Sequence, residues 1–593
     1  MAEQAESAGL DLLVLLAAPP GEPGLDPWTV ASWVAARTVR LQVGLAHDPL
    51  ADGLVSDEMR AKALAALDAL AGPRVVSGAD AWVVLPAGSG VDRVAAVDDG
   101  RAVVVAVSTP QEVGAVAALR SALPAGRSNR SAAARARRRP GIAYDDLPPS
   151  LAARAVEPGD PAYAAVSSTY LRGGAPGLVL RPTTVAEVAD AVRFAGRHPT
   201  VPLGVRSGGH GVSGRSTNRG GIVVDVGALR SVEVVDPARR LVRVGPGATW
   251  KQVAAALHPH GWALGSGDYG GVGVGGLATA GGIGLLSREH GLTIDHVRAA
   301  EVVLADGSVV HASANKEPEL FWAVRGAGAN VGVVTSFDLE VDEVGTVGWA
   351  QLRVAVTDLA DALLRFGELA TSAPRDTTIF LVAGRPHGDH SFLHLYGLVD
   401  SDDPDVVVER LTPFAELGVL VDQQVVLAAY RDVMGSAADV GPDGHRGFGE
   451  PAARSGFLRS INAEVAADVT RMLAGGDVHF FQLRTMGGAI ADVAPGATAF
   501  AHRDAAFQVT AMGAAAGPLD AAWAPVRRHL TGLYLSFETG TGPEVVELAF
   551  PPATLARLRE VKRCVDPTNR FHDNFNVLGV RPDLEAGQEK HAS

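Results

Sequence analysis

Gly261-Trp-Ala-Leu-Gly-Ser-Gly-Asp-Tyr-Gly-Gly-Val-Gly-Val-Gly-Gly-Leu-Ala-Thr-Ala-Gly-Gly-Ile-Gly284 is the stretch on which the fold turns, because nearly half of it is glycine. Glycine loses more conformational freedom on folding than any other residue, so a packed element does not accept this density without a backbone reason. Close approach of main chain to an extended ligand is such a reason. Gly271 to Gly276 formally matches G-x-G-x-x-G, and Asp295 follows about 20 residues later. A nicotinamide Rossmann loop must follow directly on a buried strand, however, and Gly267-Asp-Tyr-Gly-Gly is not one.

Upstream lies a second constellation, Val205-Arg-Ser-Gly-Gly-His-Gly-Val-Ser-Gly, directly after a strand expected at Val201 to Val205. Adjacent glycines let successive N–H groups face an anion, so the loop can cradle a pyrophosphate. His210 would then sit beside a phosphate-bearing ligand, where its imidazole could attack the electrophilic methyl group of an oxidised flavin. A tight turn holding a hydrogen-bonded histidine explains the same residues equally well.

Around these loops the pattern is mixed α and β. Thr183 to Arg197 reads as an amphipathic helix with Val185, Val188, Ala191 and Val192 on one side. Ile222 to Val226 reads as a strand, and Val232 to Val244 as a hairpin turning at Asp236-Pro-Ala-Arg. From Val347 to Leu548 strands and helices alternate with few glycine clusters, which suits a separate substrate-side domain. The first 120 or so residues carry their own apolar pattern. There Leu25-Asp-Pro-Trp-Thr, Ala35-Ala-Arg-Thr and Leu41-Gln-Val-Gly resemble a segment of luciferase-like flavin monooxygenases. Such (β/α)8 barrels need about 250 residues, so this region reads as a partial module.

Bulk properties bound the alternatives. At 593 residues the chain exceeds one hydrophobic core and should divide into about three domains. A net charge of −14 argues against nucleic-acid binding, and the one basic stretch, Arg127 to Arg139, reads as a linker. The single cysteine, Cys564, allows no internal disulfide or cysteine metal cluster and fits a reducing cytoplasm. The apolar run Leu10 to Pro19 follows acidic Glu3 and Glu6 and is too short to span a bilayer. Neither a metal site nor a membrane association is expected.

Taken in order, Arg206-Ser-Gly-Gly-His, Val272-Gly-Val-Gly-Gly, Ala280-Gly-Gly-Ile-Gly-Leu-Leu-Ser-Arg-Glu-His-Gly-Leu, Val303-Leu-Ala-Asp-Gly, Glu319-Leu-Phe-Trp-Ala-Val-Arg-Gly, Gly332-Val-Val-Thr and Asp566-Pro-Thr-Asn-Arg-Phe resemble the berberine-bridge-enzyme-like family of FAD-linked oxidases. The resemblance runs from about Pro161 to Val580. It implies an α+β fold: a two-subdomain PCMH-type FAD-binding domain at 161–346, an α/β substrate domain with an antiparallel sheet and helices at 347–550, and a return to the FAD domain at 551–593. The partial luciferase-like module (1–125) and an Arg-rich linker (126–160) precede these.

The resemblance also implies FAD held by one covalent bond through His210, since Tyr269 stands where many members carry a second linking cysteine. Cofactor contacts are implied for Arg206, Ser207, Gly208, Gly209 and Gly211, for Asp268, Val272, Gly273, Gly275 and Gly276, and for Gly282 and Gly284. Val334 is implied on the adenine side, with Asn574 and Asn576 near the ring, although turn formation after Pro567 also accounts for these asparagines. Trp322 and Arg325 read as packing residues.

The substrate side departs from the family. Met486 stands where members carry a tyrosine before Gly-Gly, Gln508 or Val509 where some carry a glutamate, and Phe537 where a second tyrosine is expected. Tyr534 is the remaining candidate base, in competition with a core role. The implied function is hydride removal from a small organic substrate of secondary metabolism, with molecular oxygen reoxidising the flavin. The oxygen assignment rests on Val272, which resembles the family's oxygen-permitting gate. A flavin dehydrogenase with another acceptor and a non-catalytic flavin scaffold are the alternatives.

Overall fold

The computed structural model describes residues 135–160, 162–437, 450–540 and 542–579, with five short strands nearer the N-terminus. The chain divides into two compact units, Met1–Ser167 with Gly177–Val179, and Ser168–Pro176 with Leu180–Ser593. In the first, Leu12–Leu15, Gln42–Leu45 and Val75–Ser77 pair in parallel, as do Trp82–Leu85 and Ala102–Val105. The rest of the expected luciferase-like module, the start of the expected linker and the tail beyond Gly579 lie outside the described residues. From Arg135 onward the expected linker is instead packed structure. Arg138 Nε donates to Glu157 Oε2 at 2.7 Å, and Glu157 is fully buried. A buried carboxylate demands such a partner.

The second unit carries the glycine loops. Helix α1 (Val185–Gly196) begins where Thr184 accepts a hydrogen bond from the Glu187 N–H, and it buries Val188, Ala191, Val192 and Ala195. Strands β1 (Leu203–Arg206) and β2 (Ile222–Asp225) pair in parallel, and the His210 loop leaves the end of β1. The expected hairpin forms from β3 (Val232–Asp236) and β4 (Leu241–Val244), with the Asp236 carboxylate capping the turn. Strands β5 (Val297–Val303), β6 (Val309–Ser313) and β7 (Val333–Glu340) complete an antiparallel sheet in the order β3-β4-β7-β5-β6.

A second antiparallel sheet has seven strands: β8 (Thr346–Val356), β9 (Thr377–Ala383), β10 (Ser391–Val399), β11 (Val419–Ala429), β12 (Ala452–Leu458), β13 (Val478–Thr485) and β14 (Phe507–Gly513). Their order is β11-β8-β10-β9-β13-β14-β12. Period-two alternation sorts their side chains. Leu352, Leu381, Leu395, Leu483 and Val509 share one core with the helices Leu359–Ser372, Pro404–Ala415, Ala463–Gly475 and Ala516–Arg527. Trp349, Phe380, Tyr396, Gln482, Arg484 and Gln508 occupy the alternate positions and so stand on the opposite face. Phe380 belongs to the core of the glycine-loop domain, and Trp349 and Tyr396 pack against it.

Candidate functional site

The two glycine loops touch through their backbones. A Cβ built on Gly208 would lie 2.6 Å from Gly273 N and 2.8 Å from Gly273 Cα, distances that no side chain tolerates. The Val274 N–H donates to Ala248 O at 2.8 Å and the Gly275 N–H to Pro246 O at 2.9 Å. These two amides are therefore committed to protein carbonyls rather than to an anion, and the glycines serve close approach. Gly209 has φ +69°, in the left-handed region that favours glycine. Its carbonyl accepts from the Tyr170 N–H at 2.9 Å, and the Tyr170 ring stacks on His210 with centroids 4.7 Å apart. Tyr269 approaches the other loop's histidine as well, at 5.7 Å between centroids.

Between the loops lies a cleft. Of the residues singled out above, Ser207, Gly208, Gly209, His210, Gly211, Asp268, Val272, Gly273, Gly275, Gly276, Val334, Tyr534 and Asn574 line it. Four do not. Arg206 is buried in an ion pair with Asp225 at 2.7 Å, which anchors the base of the His210 loop. Gly282 and Gly284 are glycines for packing, since a Cβ would strike Thr293 in the first case and Ser266 O in the second. The Asn576 amide bonds Gly579 O and the Leu578 N–H, closing a turn. Arg325 donates to Phe321 O and Ala497 O, and Trp322 to Gly496 O, both packing roles.

Sequence reasoning missed Arg215, Ser216 and Asp573, which also line the cleft. Ser216 Oγ, Asn574 Oδ1 and Arg215 Nε are buried without a hydrogen-bond partner. Burying polar atoms unpaired costs about 1–3 kcal/mol each, so a wall carrying three of them suits a ligand rich in donors and acceptors. Together with the loop contact that excludes side chains, this fits an extended dinucleotide such as FAD. The aromatic Phe571 and Phe575 close the same wall, the latter with Arg215 3.9 Å above its ring. Asp573 Oδ2 accepts from the Leu203 N–H at 2.8 Å and joins the C-terminal segment to β1.

Tyr534 lines the cleft from a packed, buried position. Its hydroxyl accepts from the Gly282 N–H at 3.1 Å, and its ring packs among Phe457, Phe500 and Phe537. Burial raises its pKa, partly offset by the hydrogen bond from the Gly282 N–H. Gln508 is buried and bonded to Arg484, and Met486 is buried and apolar.

A different polar cluster sits against the cleft. Asp268 Oδ2 accepts from Tyr396 Oη at 2.5 Å and from Arg484 at 3.0 Å, with Gln482 Nε2 at 3.4 Å; Gln482 also donates to Tyr396 Oη at 2.5 Å. Burial pushes the Asp268 pKa up, but the Arg484 guanidinium and the hydrogen bonds outweigh it and hold the carboxyl below its ordinary range. Burial and the Asp268 charge drive the Tyr396 phenol well above its usual value. The sequence signal for this cluster was polar residues in strands that bury both faces, as in Gln482-Leu-Arg.

Comparison with known proteins agrees with this geometry. Residues 176–313 match the FAD binding domain family. The (R)-6-hydroxynicotine oxidase of Paenarthrobacter nicotinovorans is 32% identical over 435 residues, 68% of this chain and 91% of that protein. The crystal structure of 6-hydroxy-D-nicotine oxidase from Arthrobacter nicotinovorans superposes with a TM-score of 0.64 at 26% identity, covering 73% of this chain and 99% of that one. A berberine-bridge-enzyme-like protein of Physcomitrella patens shares the fold at a TM-score of 0.62 and 23% identity, over 70% of this chain and 95% of that one. On 32% identity over two thirds of this chain and nearly all of the nicotine enzyme, together with the cleft between the glycine loops, the chain belongs to the family of FAD-linked oxidases and is an FAD-dependent oxidoreductase with the fold seen in berberine-bridge-enzyme-like proteins.

Proposed function

We propose that the protein carries FAD on a single covalent bond to His210 and oxidises a small secondary metabolite by hydride removal, with molecular oxygen as the final acceptor. The observation that carries this reading is the position of His210. Its ring lines the cleft on the glycine loop, stacked on Tyr170, so the imidazole is oriented before any ligand arrives. Bound there, FAD supplies two-electron, hydride-accepting chemistry. The protein's share is placement: Ser216, Asn574 and Arg215 offer unmatched polar atoms, and the apposed loops keep side chains out of the cofactor's path.

Oxygen as acceptor is supported by Val272, a half-buried cleft residue of modest bulk. The test has two parts. Mass spectrometry of the acid-denatured chain should show apoprotein plus one FAD, and a mass equal to apoprotein would remove the covalent link. A substrate that bleaches the flavin without oxygen should yield hydrogen peroxide on aeration; bleaching without peroxide would favour a dehydrogenase.

A further inference from the structure

The substrate's proton needs a destination, and the positions where relatives of this fold would carry a base hold Met486, Gln508 and Phe537 here. The titratable side chains that line the cleft are His210, Arg215, Asp268, Tyr534 and Asp573. His210 is committed to the cofactor under the reading above, and Arg215 carries a cation. Tyr534 is tied to Gly282, and Asp573 to Leu203. Asp268 is left. Its side-chain hydrogen bonds from Tyr396, Gln482 and Arg484 all fall on Oδ2, and among the described residues Oδ1 receives none from a side chain.

We propose that Asp268, delivered by the glycine loop itself and clamped by Tyr396 and Arg484 from the seven-stranded sheet, is the group that takes the substrate's proton. The inference rests on the oxidase reading above. For a substrate H–C–X–H, with X oxygen or nitrogen, the C–H bond breaks with its electron pair passing as hydride to the flavin. The X–H bond breaks as its proton passes to Asp268 Oδ1, and the C=X double bond forms; the flavin gains the two electrons. Loss of hydride makes X–H strongly acidic, so even a carboxylate of low basicity suffices. Asp268 is a catalytic residue in this scheme. Tyr396 and Arg484 position it: the guanidinium keeps it ionised, and the phenol fixes Oδ2 so that Oδ1 has one direction. Arg484 is itself held at 3.1 Å from Gln508 Oε1 and 4.2 Å from the Phe537 ring, so two of the three departures from the family pattern support the clamp.

The charged and titratable groups facing Asp268 are Tyr396 and Arg484 from the sheet, Tyr430, whose buried phenol is pushed up to about 12, the adjacent Tyr269, and His210 beyond it. The experiment is anaerobic flavin reduction followed against pH with a panel of a secondary alcohol, a secondary cyclic amine and a reducing disaccharide, on wild type, Asp268→Asn and Tyr396→Phe. The first probe to bleach wild type is used throughout. Asp268→Asn should slow reduction about 10²- to 10⁴-fold and abolish the acid limb of the profile. Tyr396→Phe should keep most of the rate but move that limb to higher pH, because Asp268 loses a hydrogen bond that favours its charged form.

A readout independent of turnover is the alkaline ultraviolet titration of tyrosinate. One phenol, identified by its loss in Tyr396→Phe, should ionise at lower pH in Asp268→Asn than in wild type. Wild-type bleaching with Asp268→Asn equally fast, or a tyrosinate midpoint unmoved by that substitution, overturns the role of Asp268 alone. Failure of every probe to bleach wild type overturns the oxidase reading and this inference with it.

Discussion

Gly208 and Gly273 meet backbone to backbone across the floor of the cleft, with room for a hydrogen on each Cα and nothing larger. Gly208→Ala should force the loops apart and cost about 1–3 kcal/mol as an overpacked contact. The damage should fall on the cofactor first. We expect the flavin-to-protein absorbance ratio to drop well before the melting temperature does, and a variant with full flavin content would show that the loops can separate freely.

His210→Ala leaves the loop path intact, because its neighbours Gly209 and Gly211 keep their conformations and the Tyr170 N–H still bonds Gly209 O. The denatured chain should carry no flavin mass. We also expect reduction to slow, and a redox titration of reconstituted protein would read any change in flavin potential.

Val272→Ile adds one methylene beside the cleft. The Val272 carbonyl accepts from the Trp250 N–H at 3.0 Å, so the backbone should stay in place. Substrate should reduce the flavin at the wild-type rate while reoxidation by oxygen slows. Stopped-flow analysis separates the two half-reactions, and unchanged reoxidation would remove the main support for oxygen as acceptor.

His290 packs between Asp342 and Asp400, with Nε2 2.8 Å from Asp400 Oδ2. Burial lowers its pKa, but the two carboxylates outweigh that and carry it up to about 10. Because the folded value exceeds the ordinary one of about 6.5, the stabilisation is fully present below pH 6.5 and is lost as pH rises through 10. Melting temperature should therefore fall across that window. His290→Ala should flatten the dependence and cost about 1–3 kcal/mol at neutral pH.

The features legible in the sequence are contiguous ones. The His210 loop and the 261–284 run announce themselves because glycine density within a few residues has a local backbone cause. The Asp268 clamp joins residues 128 and 216 positions apart. Alternation along a strand says that Gln482 and Arg484 share a face, but not what that face meets. Tyr534 shows the same limit: its position in the sequence suggests chemistry, but only the fold puts its hydroxyl on the Gly282 amide. Arg206 does the same within the glycine motif, since only the fold brings Asp225 to it.

The bond between the Leu203 amide and Asp573 spans 370 positions of chain, and Phe571 to Phe575 finish the wall that Leu203 begins. During synthesis the glycine loops leave the ribosome long before that wall exists. Loading of the cofactor should then wait for the Phe571–Phe575 segment, and so distant a closure is intrinsically slow. Yellow colour in an expressing culture would thus report chains extended past Phe575, and a product ending before Asp566 should emerge colourless.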